Sequence, residues 1–206
     1  LFRRSKGVAI QRLLGGKVAE WLNVELPRVR NRRVDILARI EDGSFASLEL
    51  QSCNDRTMAQ RQAGYYLDLL RLLKKHVRQV VLYVGAEPLS MPDHLRTSAM
   101  SFRYQLVDIR SLDGEALLAS KDLGDAMLAL LAGVDTERVG RRVWPEIEEM
   151  EAGAQEDAIT ELLLISGLRR QEDWVLERVR TLMPLSFDVV MKNKVLGPMV
   201  RRKLAE

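Results

Sequence analysis

The sequence predicts an α/β fold, a mixed β-sheet flanked by helices with a helical C-terminal extension. The first observation comes from residues 33–85. Two segments in which apolar and polar residues alternate flank a turn, and a helical segment and a continuous apolar run follow them. The second is that the chain becomes helical in its apolar spacing after residue 112. A strand, a helix and a strand joined by a crossover of about 20 residues imply a mixed sheet with helices on its faces.

Composition is that of a globular protein. The 206 residues, 47% of them apolar, can bury a core without disulfide bonds. The one cysteine, Cys53, cannot form an intrachain disulfide, so we expect a reducing, cytoplasmic setting. We expect no membrane span and no signal peptide, because no apolar run approaches 18 or so residues and none follows the basic start.

Charge is distributed unevenly along the chain. Residues 1–78 hold 16 Lys and Arg against 8 Asp and Glu, whereas residues 79–206 hold 16 against 21. A basic half is typical of proteins that contact the phosphate backbone of nucleic acids. Basic residues on solvated helix faces give the same pattern, and charge alone does not separate the two interpretations.

The first predicted element is an amphipathic helix over residues 8–22. Its apolar residues follow the helical spacing: Ile10, Leu13, Leu14, Val18, Trp21 and Leu22. Gly15 and Gly16 weaken this helix by roughly 1 kcal/mol each relative to alanine.

A hairpin is predicted next, from Val34–Ile40 and Phe45–Gln51. Gly43 stands where a three-residue hairpin loop requires a left-handed residue. The loop fixes a register in which opposed residue numbers sum to 84. All pairs on one face are then apolar: Val34 with Leu50, Ile36 with Leu48, and Ala38 with Ala46.

The remaining elements alternate in type before the helical part. Asn54 or Asp55 is expected to cap a helix that runs to about Lys75. Strands are predicted over 79–85 and 103–109, and helices over 123–131, 158–168 and 172–183, with Gly133 and Pro145 as breaks. We divide the chain into a core of residues 1–112 and a helical extension of residues 113–206.

The predicted register brings two carboxylates together. Asp35 lies opposite Glu49, and Gln51 lies on the same face about 7 Å further along. Opposed β-carbons are about 5 Å apart, so the two carboxylates repel each other. A divalent cation would remove this repulsion, because Mg²⁺ and Mn²⁺ prefer oxygen ligands. The alternative is a pair of exposed acids bridged by Arg33 or Arg39.

These residues also carry a resemblance. Along the chain, Asp35 lies in 33–40 and is followed by Asp42-Gly43 and by the Glu-x-Gln of 48–52. The motifs continue with Asn54–Met58, Arg61 and Tyr65 at the predicted helix, and they end with the apolar strand 80–85. This order resembles the nuclease core of recombination-promoting nucleases, a transposase-like branch of the PD-(D/E)XK superfamily. The resemblance is densest over residues 25–110, and residues 165–169 and 182–184 are similar less specifically.

The resemblance implies a restriction-endonuclease-like fold and a metal-dependent DNA endonuclease. Asp35 and Glu49 match the acidic metal ligands, the backbone carbonyl of Leu50 would be a further ligand, and Mg²⁺ (or Mn²⁺) would be the cofactor. Gln51 stands where the superfamily motif has lysine. A glutamine can hydrogen-bond the attacking water, but it supplies no positive charge.

Residues of the following helix would support the site. Arg61 and Tyr65 match an Arg-x-x-x-Tyr pattern, whereas Gln62 and Tyr66 form an overlapping Gln-x-x-x-Tyr pattern that resembles helicase-associated nucleases. Gln62 lies on the buried stripe of the helix and needs a hydrogen-bond partner. That partner is either a group of the site or an ordinary buried contact.

DNA is the expected partner, and the sequence is also compatible with a homo-oligomer. Four arginines near the first site strand could contact phosphates without reading sequence: Arg28, Arg30, Arg32 and Arg33. A rival interpretation is a nuclease-fold protein that binds nucleic acid or a protein without cutting. The missing lysine favours this rival, whereas the Asp35–Glu49 pair disfavours it.

Overall fold

The structure, a computed structural model, describes residues 7–22, 25–26 and 32–182, together with Met191 and Gly197. The strands in these residues are β1 (Val18–Leu22), β2 (Glu25–Leu26), β3 (Arg32–Arg33), β4 (Ile36–Ile40), β5 (Phe45–Gln51), β6 (Val77–Tyr83), β7 (His94–Arg96), β8 (Ser101–Arg103) and β9 (Gln105–Asp108). The helices are α1 (Val8–Leu14), α2 (Met58–Leu73), α3 (Gly114–Leu118), α4 (Leu123–Leu128), α5 (Thr136–Glu148), α6 (Ala152–Gly167) and α7 (Asp173–Leu182).

Five strands form one mixed sheet in the order β1-β4-β5-β6-β9. β4 pairs antiparallel with both β1 and β5, whereas β6 pairs parallel with both β5 and β9. β5 is therefore the central strand, where the sheet changes from antiparallel to parallel pairing. Two short hairpins, β2–β3 and β7–β8, lie outside this sheet. The predicted α/β class, with a mixed sheet and helices, is confirmed.

Helices cover both faces of the sheet. One face packs against α1 and the helices after residue 112 in a single hydrophobic cluster, to which the strands contribute Ile36, Ala38, Leu48, Val80 and Leu82. The other face packs against α2, and the strands contribute Leu37, Val77, Val81 and Tyr83. The later helices thus share a core with the sheet, and the division of the chain at residue 112 stays a prediction.

The prediction of one helix over residues 8–22 is wrong in its second half. α1 ends at Leu14, because Gly15 adopts the left-handed conformation with φ +80°. Gly16 then passes so close to Ile40 that an added β-carbon would lie 2.4 Å from Cγ2 of that residue. The chain turns and forms β1, an edge strand paired with β4, so Trp21 reaches the core from a strand.

The predicted register of the β4–β5 hairpin is confirmed. Ile36 pairs with Leu48 and Ala38 pairs with Ala46. Gly43 closes the loop at φ +82°, the left-handed conformation that the sequence required there.

Two predicted boundaries are wrong. Pro145 does not break a helix, since it lies inside α5, where buried Val143, Trp144 and Ile147 hold the helix against the core. Neither Asn54 nor Asp55 caps α2, whose N-cap residue is Thr57.

The strands predicted over 79–85 and 103–109 are found as β6 and as β9 with the end of β8. Among the described residues, no helix is both long enough and apolar enough to span a bilayer.

The start of α1 is fixed by a carboxylate from the later helices. Asp125 is fully buried, and its Oδ2 accepts the Val8 N–H at 2.7 Å and the Ser120 hydroxyl at 2.9 Å. Its Oδ1 also accepts the Ala9 N–H at 3.3 Å. Burial raises the pKa of Asp125 above its ordinary value, and the hydrogen bonds oppose that rise.

We expect Asp125→Ala to lower the free energy of unfolding by about 2–3 kcal/mol, because it leaves buried donors without a partner. Asp135→Ala removes an exposed N-cap of α5 and is the matched control, with an expected loss of about 1 kcal/mol. Urea unfolding followed by circular dichroism measures both. Equal losses in the two variants would contradict the structural role of Asp125.

Candidate active site

The site begins where the β4–β5 ladder stops. The Ile40 N–H donates to the Ser44 carbonyl at 2.8 Å, so this pair is hydrogen-bonded, and pairs two residues further along are hydrogen-bonded in turn. The register would continue to Val34 and Leu50. Instead, the Leu50 N–H donates to Oδ2 of Asp35 at 2.9 Å. The carboxylate of Asp35 therefore occupies the edge of β5 where backbone pairing was expected.

This interruption corrects the prediction for Val34. Its side chain packs with Leu37 and Tyr65 on the α2 face, not with Ile36 on the opposite face. Asp35 itself is exposed and lies in a bend before β4. Its side chain is thereby fixed beside the end of β5 by the Leu50 N–H, and it does not pair directly opposite Glu49 as predicted, although its charge is near enough to raise the pKa of Glu49.

Glu49 is the buried member of the pair. It lies on β5 facing α2 and is only 6% exposed. Its Oε1 accepts a hydrogen bond from Nη2 of Arg61 at 2.6 Å. Its Oε2 is also buried and has no hydrogen-bond partner among the described residues. One carboxylate oxygen is thus paired, and the other is buried without a partner among the described residues.

The surroundings of Glu49 disfavour its charged form. Burial raises the pKa of Glu49 to about 7, and the nearby charge of Asp35 adds to that rise. The Arg61 guanidinium and the backbone N–H of Asp35 act in the opposite direction, with smaller effects. Arg61 therefore compensates this carboxylate only in part.

The Arg61 guanidinium donates hydrogen bonds to two carboxylates. It lies in the first turn of α2, and its Nη1 donates to Oδ2 of Asp55 at 3.0 Å while Nη2 donates to Glu49. Burial lowers the pKa of Arg61, but the contacts with Asp55, Tyr65 and Glu49 outweigh burial and raise it. Arg61 thus contacts Glu49, and Tyr65 in turn interacts with Arg61.

Asp55 is the residue that sequence reasoning missed, since it was interpreted only as a helix cap. Its Oδ1 accepts both the N–H and the hydroxyl of Thr57, each at 2.7 Å. This turn directs Oδ2 toward Arg61. The preceding Asn54 bonds to the carbonyl of Pro88 and the N–H of Ser90, which ties the loop after β5 to the loop after β6. No local spacing signals these long-range contacts.

Gln51 lies at the margin of the site. Alternation along β5 puts it on the Glu49 side of the strand. Its Nε2 donates to the Cys53 carbonyl at 2.8 Å and lies 3.5 Å from the exposed Cys53 sulfur. The amide nitrogen is therefore held by the loop that follows β5, and not by either acidic residue.

Gln62 does not contact the two acids. It is buried in α2, and its backbone carbonyl and Oε1 accept hydrogen bonds from Nε2 of Gln79 at 3.0 and 3.2 Å. Of the two interpretations left open for Gln62, the structure favours the ordinary buried contact. Gln79 pairs with Ser47 in the sheet register, two residues before Glu49.

The predicted basic residues fall mostly beyond what the structure describes. Arg28 and Arg30 lie outside the described residues. Arg32 and Arg33 form β3, and their side chains also lie outside the described part. Arg39, an alternative bridge between the acids, bonds to Glu20 at 3.1 Å instead.

The donor set fits a hard divalent cation. Within the described residues, no three or more His, Cys, Asp and Glu side chains are grouped to hold a metal. Mg²⁺ commonly uses only one or two protein carboxylates and retains several waters. Glu49, the neighbouring Asp35 and the Leu50 carbonyl are the oxygen groups near the end of β5 that could hold such a cation, since the C=O of Leu50 points to the same edge as its N–H.

Comparisons with known proteins add no family. No protein-family model matches the chain, and no curated protein or solved structure matches it significantly.

We expect the stability of the metal-free protein to depend on Glu49 through pH. Because the folded-state pKa is raised, Glu49 adds stability below about pH 4.5, and this contribution is lost as pH rises through about 7. Relative to Glu49→Gln, the wild type should lose on the order of 2–3 kcal/mol between pH 5 and 8. Urea unfolding in EDTA measures this difference.

The control for this measurement is Glu41→Gln, which changes an exposed acid in the loop of the same hairpin. Its difference from the wild type should stay nearly constant over that pH range. Parallel pH profiles for the wild type and Glu49→Gln would show that Glu49 ionises like an exposed carboxylate.

Proposed function

We propose that this protein is a metal-dependent DNA endonuclease of the PD-(D/E)XK superfamily, in its recombination-promoting, transposase-like branch. The observation that carries the proposal is the buried Glu49 near the end of the central strand: its Oε2 has no hydrogen-bond partner among the described residues, and the charge of Asp35 is near enough to raise its pKa. Two neighbouring carboxylates in a partly dry site are costly without a cation. Their retention next to a basic segment favours a phosphodiester substrate.

The order of elements supports the same proposal. The hairpin β4–β5 supplies both acids, α2 crosses over the sheet, and β6 returns parallel to β5. A restriction-endonuclease-like core has this succession of elements, as the resemblance implied. The Arg61–Tyr65 pattern in the helix over the site agrees with it.

The side chains would have distinct roles. Asp35, Glu49 and the Leu50 carbonyl would hold Mg²⁺ or Mn²⁺. When bound, the cation would lower the pKa of a coordinated water and stabilise charge on the phosphate. Gln51 would orient the attacking water by a hydrogen bond. Arg28, Arg30, Arg32 and Arg33 would contact the DNA backbone.

A second candidate is a nuclease-fold protein that binds nucleic acid or a protein but cuts weakly or not at all. One observation favours it: Arg61 already compensates part of the Glu49 charge at 2.6 Å, without a metal. The neutral Gln51 in place of lysine points the same way. Metal binding and DNA cutting separate the two candidates.

We expect Mn²⁺ to raise the melting temperature of the protein, because a ligand that binds only the folded state stabilises it. At a concentration tenfold above the dissociation constant, the shift should be about 3–5 °C. Asp35→Asn should abolish the shift, whereas the control Glu41→Gln should retain it. Differential scanning fluorimetry measures all three, and a wild type unaffected by millimolar Mn²⁺ would argue against the enzyme.

We expect Mg²⁺- or Mn²⁺-dependent nicking of supercoiled plasmid with little sequence preference. Glu49→Gln should reduce nicking at least 100-fold, because it removes a charged ligand of the metal. DNA binding should persist in this variant, since it rests on the arginines. Gel assays of nicking and of binding test both points. A protein that binds Mn²⁺ but leaves duplex, single-stranded and branched DNA intact would support the second candidate.

A further inference from the structure

Arg61 is the one cationic side chain in contact with Glu49 among the described residues. The superfamily pattern has a lysine at position 51, but Gln51 brings no charge, and its amide nitrogen is held by the Cys53 carbonyl. Among the described residues, Arg61 is therefore the cation that a phosphodiester beside Glu49 would meet. That cation comes from α2 and not from β5.

The guanidinium of Arg61 has two independent anchors. Nη2 contacts Glu49, whereas Nη1 contacts Asp55, which is itself held by Thr57 and not by any group on β5. Loss of the Glu49 contact would leave the Asp55 contact in place. The Arg61 side chain is also 37% exposed, compared with 7% for Glu49, so its guanidinium can reach a ligand in solvent.

A divalent cation and Arg61 compete for the same carboxylate. A cation bound to Oε2 of Glu49 would lie within a few ångströms of the guanidinium on Oε1, and the two positive charges would repel each other. Asp55 offers the guanidinium a second negative partner outside the metal site. The Asp55 contact would therefore hold Arg61 at the site in a second state, in which Arg61 is released from Glu49.

We propose that Arg61 leaves Glu49 when a divalent cation binds, stays at the site through Asp55, and then pairs with a phosphate of the DNA. In this way Arg61 supplies the positive charge that Gln51 cannot. Asp55 acts as a positioning residue, since it holds Arg61 without touching DNA or metal. The inference rests on the proposed function and adds a mechanism that couples metal binding to DNA binding.

A different role for Arg61 would reverse the direction in which removal of its side chain changes the affinity for the metal. If Arg61 only orients Glu49 for the metal, its removal should weaken metal binding. If Arg61 competes with the metal, its removal should tighten metal binding. Arg61→Gln thus separates competition from orientation.

The first experiment is a Mn²⁺ titration of the full chain at pH 8.5, followed by the electron paramagnetic resonance signal of free Mn²⁺. Arg61→Gln should bind Mn²⁺ roughly tenfold more tightly than the wild type, as expected for removal of a nearby like charge. Asp55→Asn should bind Mn²⁺ several-fold more weakly, because Arg61 is left to Glu49 alone. Arg71→Gln, an exposed arginine of the same helix that pairs with Asp68, is the control and should match the wild type.

If Arg61→Gln fails to fold, Asp55→Asn still tests the proposal, because this variant preserves Arg61, Asp35 and Glu49. Unchanged Mn²⁺ affinity in Asp55→Asn, or weaker affinity in folded Arg61→Gln, would overturn the Arg61 proposal and leave the proposed function standing. A wild type that binds no Mn²⁺ would overturn both the Arg61 proposal and the proposed function.

The second experiment measures binding of a fluorescent 20-base-pair duplex by anisotropy, with Ca²⁺ and with EDTA. With Ca²⁺, Arg61→Gln should bind the duplex about tenfold more weakly than the wild type, the size expected for loss of a charged phosphate contact. In EDTA the two should bind alike, because Arg61 is then held on Glu49. An equal loss under both conditions would show that Arg61 contacts DNA without being released by the cation.

Discussion

Glu49 is buried beneath α2 with one oxygen on Arg61 and the other without a partner in the described residues. Several kcal/mol is the usual cost of moving a carboxylate out of water, and one hydrogen-bonded cation repays only part of it. The nearby charge of Asp35 adds to the effect of burial and raises the pKa of Glu49 further. Much of the surrounding architecture acts to hold these groups in place despite that cost.

The mixed sheet is what brings the groups together. β5 pairs antiparallel with β4 on one side and parallel with β6 on the other, and the parallel pair requires α2 to cross over the sheet. The first turn of α2 therefore lies above the end of β5, which places Arg61 over Glu49. On the opposite face, α1 and the later helices pack against the same strands, with Asp125 fixing the start of α1. A well-packed core on that face keeps β5 from relaxing away from Arg61.

Local patterns predicted the features that are themselves local. Gly43 and the alternation around it determine the hairpin register, so the pairing of residues 36–39 with residues 45–48 could be predicted. The stretch after Gly15 could not, because five residues with apolar positions at 18, 21 and 22 suit either a helix or an edge strand. The turn of Val34 onto the α2 face and the role of Asp55 depend on contacts between distant segments. Asp35 takes the place of a backbone partner of Leu50, and Asp55 contacts Arg61, which lies six residues later. Neither arrangement produces a periodic pattern in the sequence.

Cys53 follows β5 directly, is exposed, and is the single cysteine of the sequence. Its sulfur lies 3.5 Å from the Gln51 amide and two residues beyond the strand that carries Glu49. A thiol-reactive fluorophore or nitroxide would therefore attach at one position, and that position borders the candidate site. The native chain thus provides its own labelling point for spectroscopy, without mutagenesis to remove competing thiols. If the proposed site binds Mn²⁺, dipolar broadening of a nitroxide at Cys53 would give a distance from the label to the ion in solution.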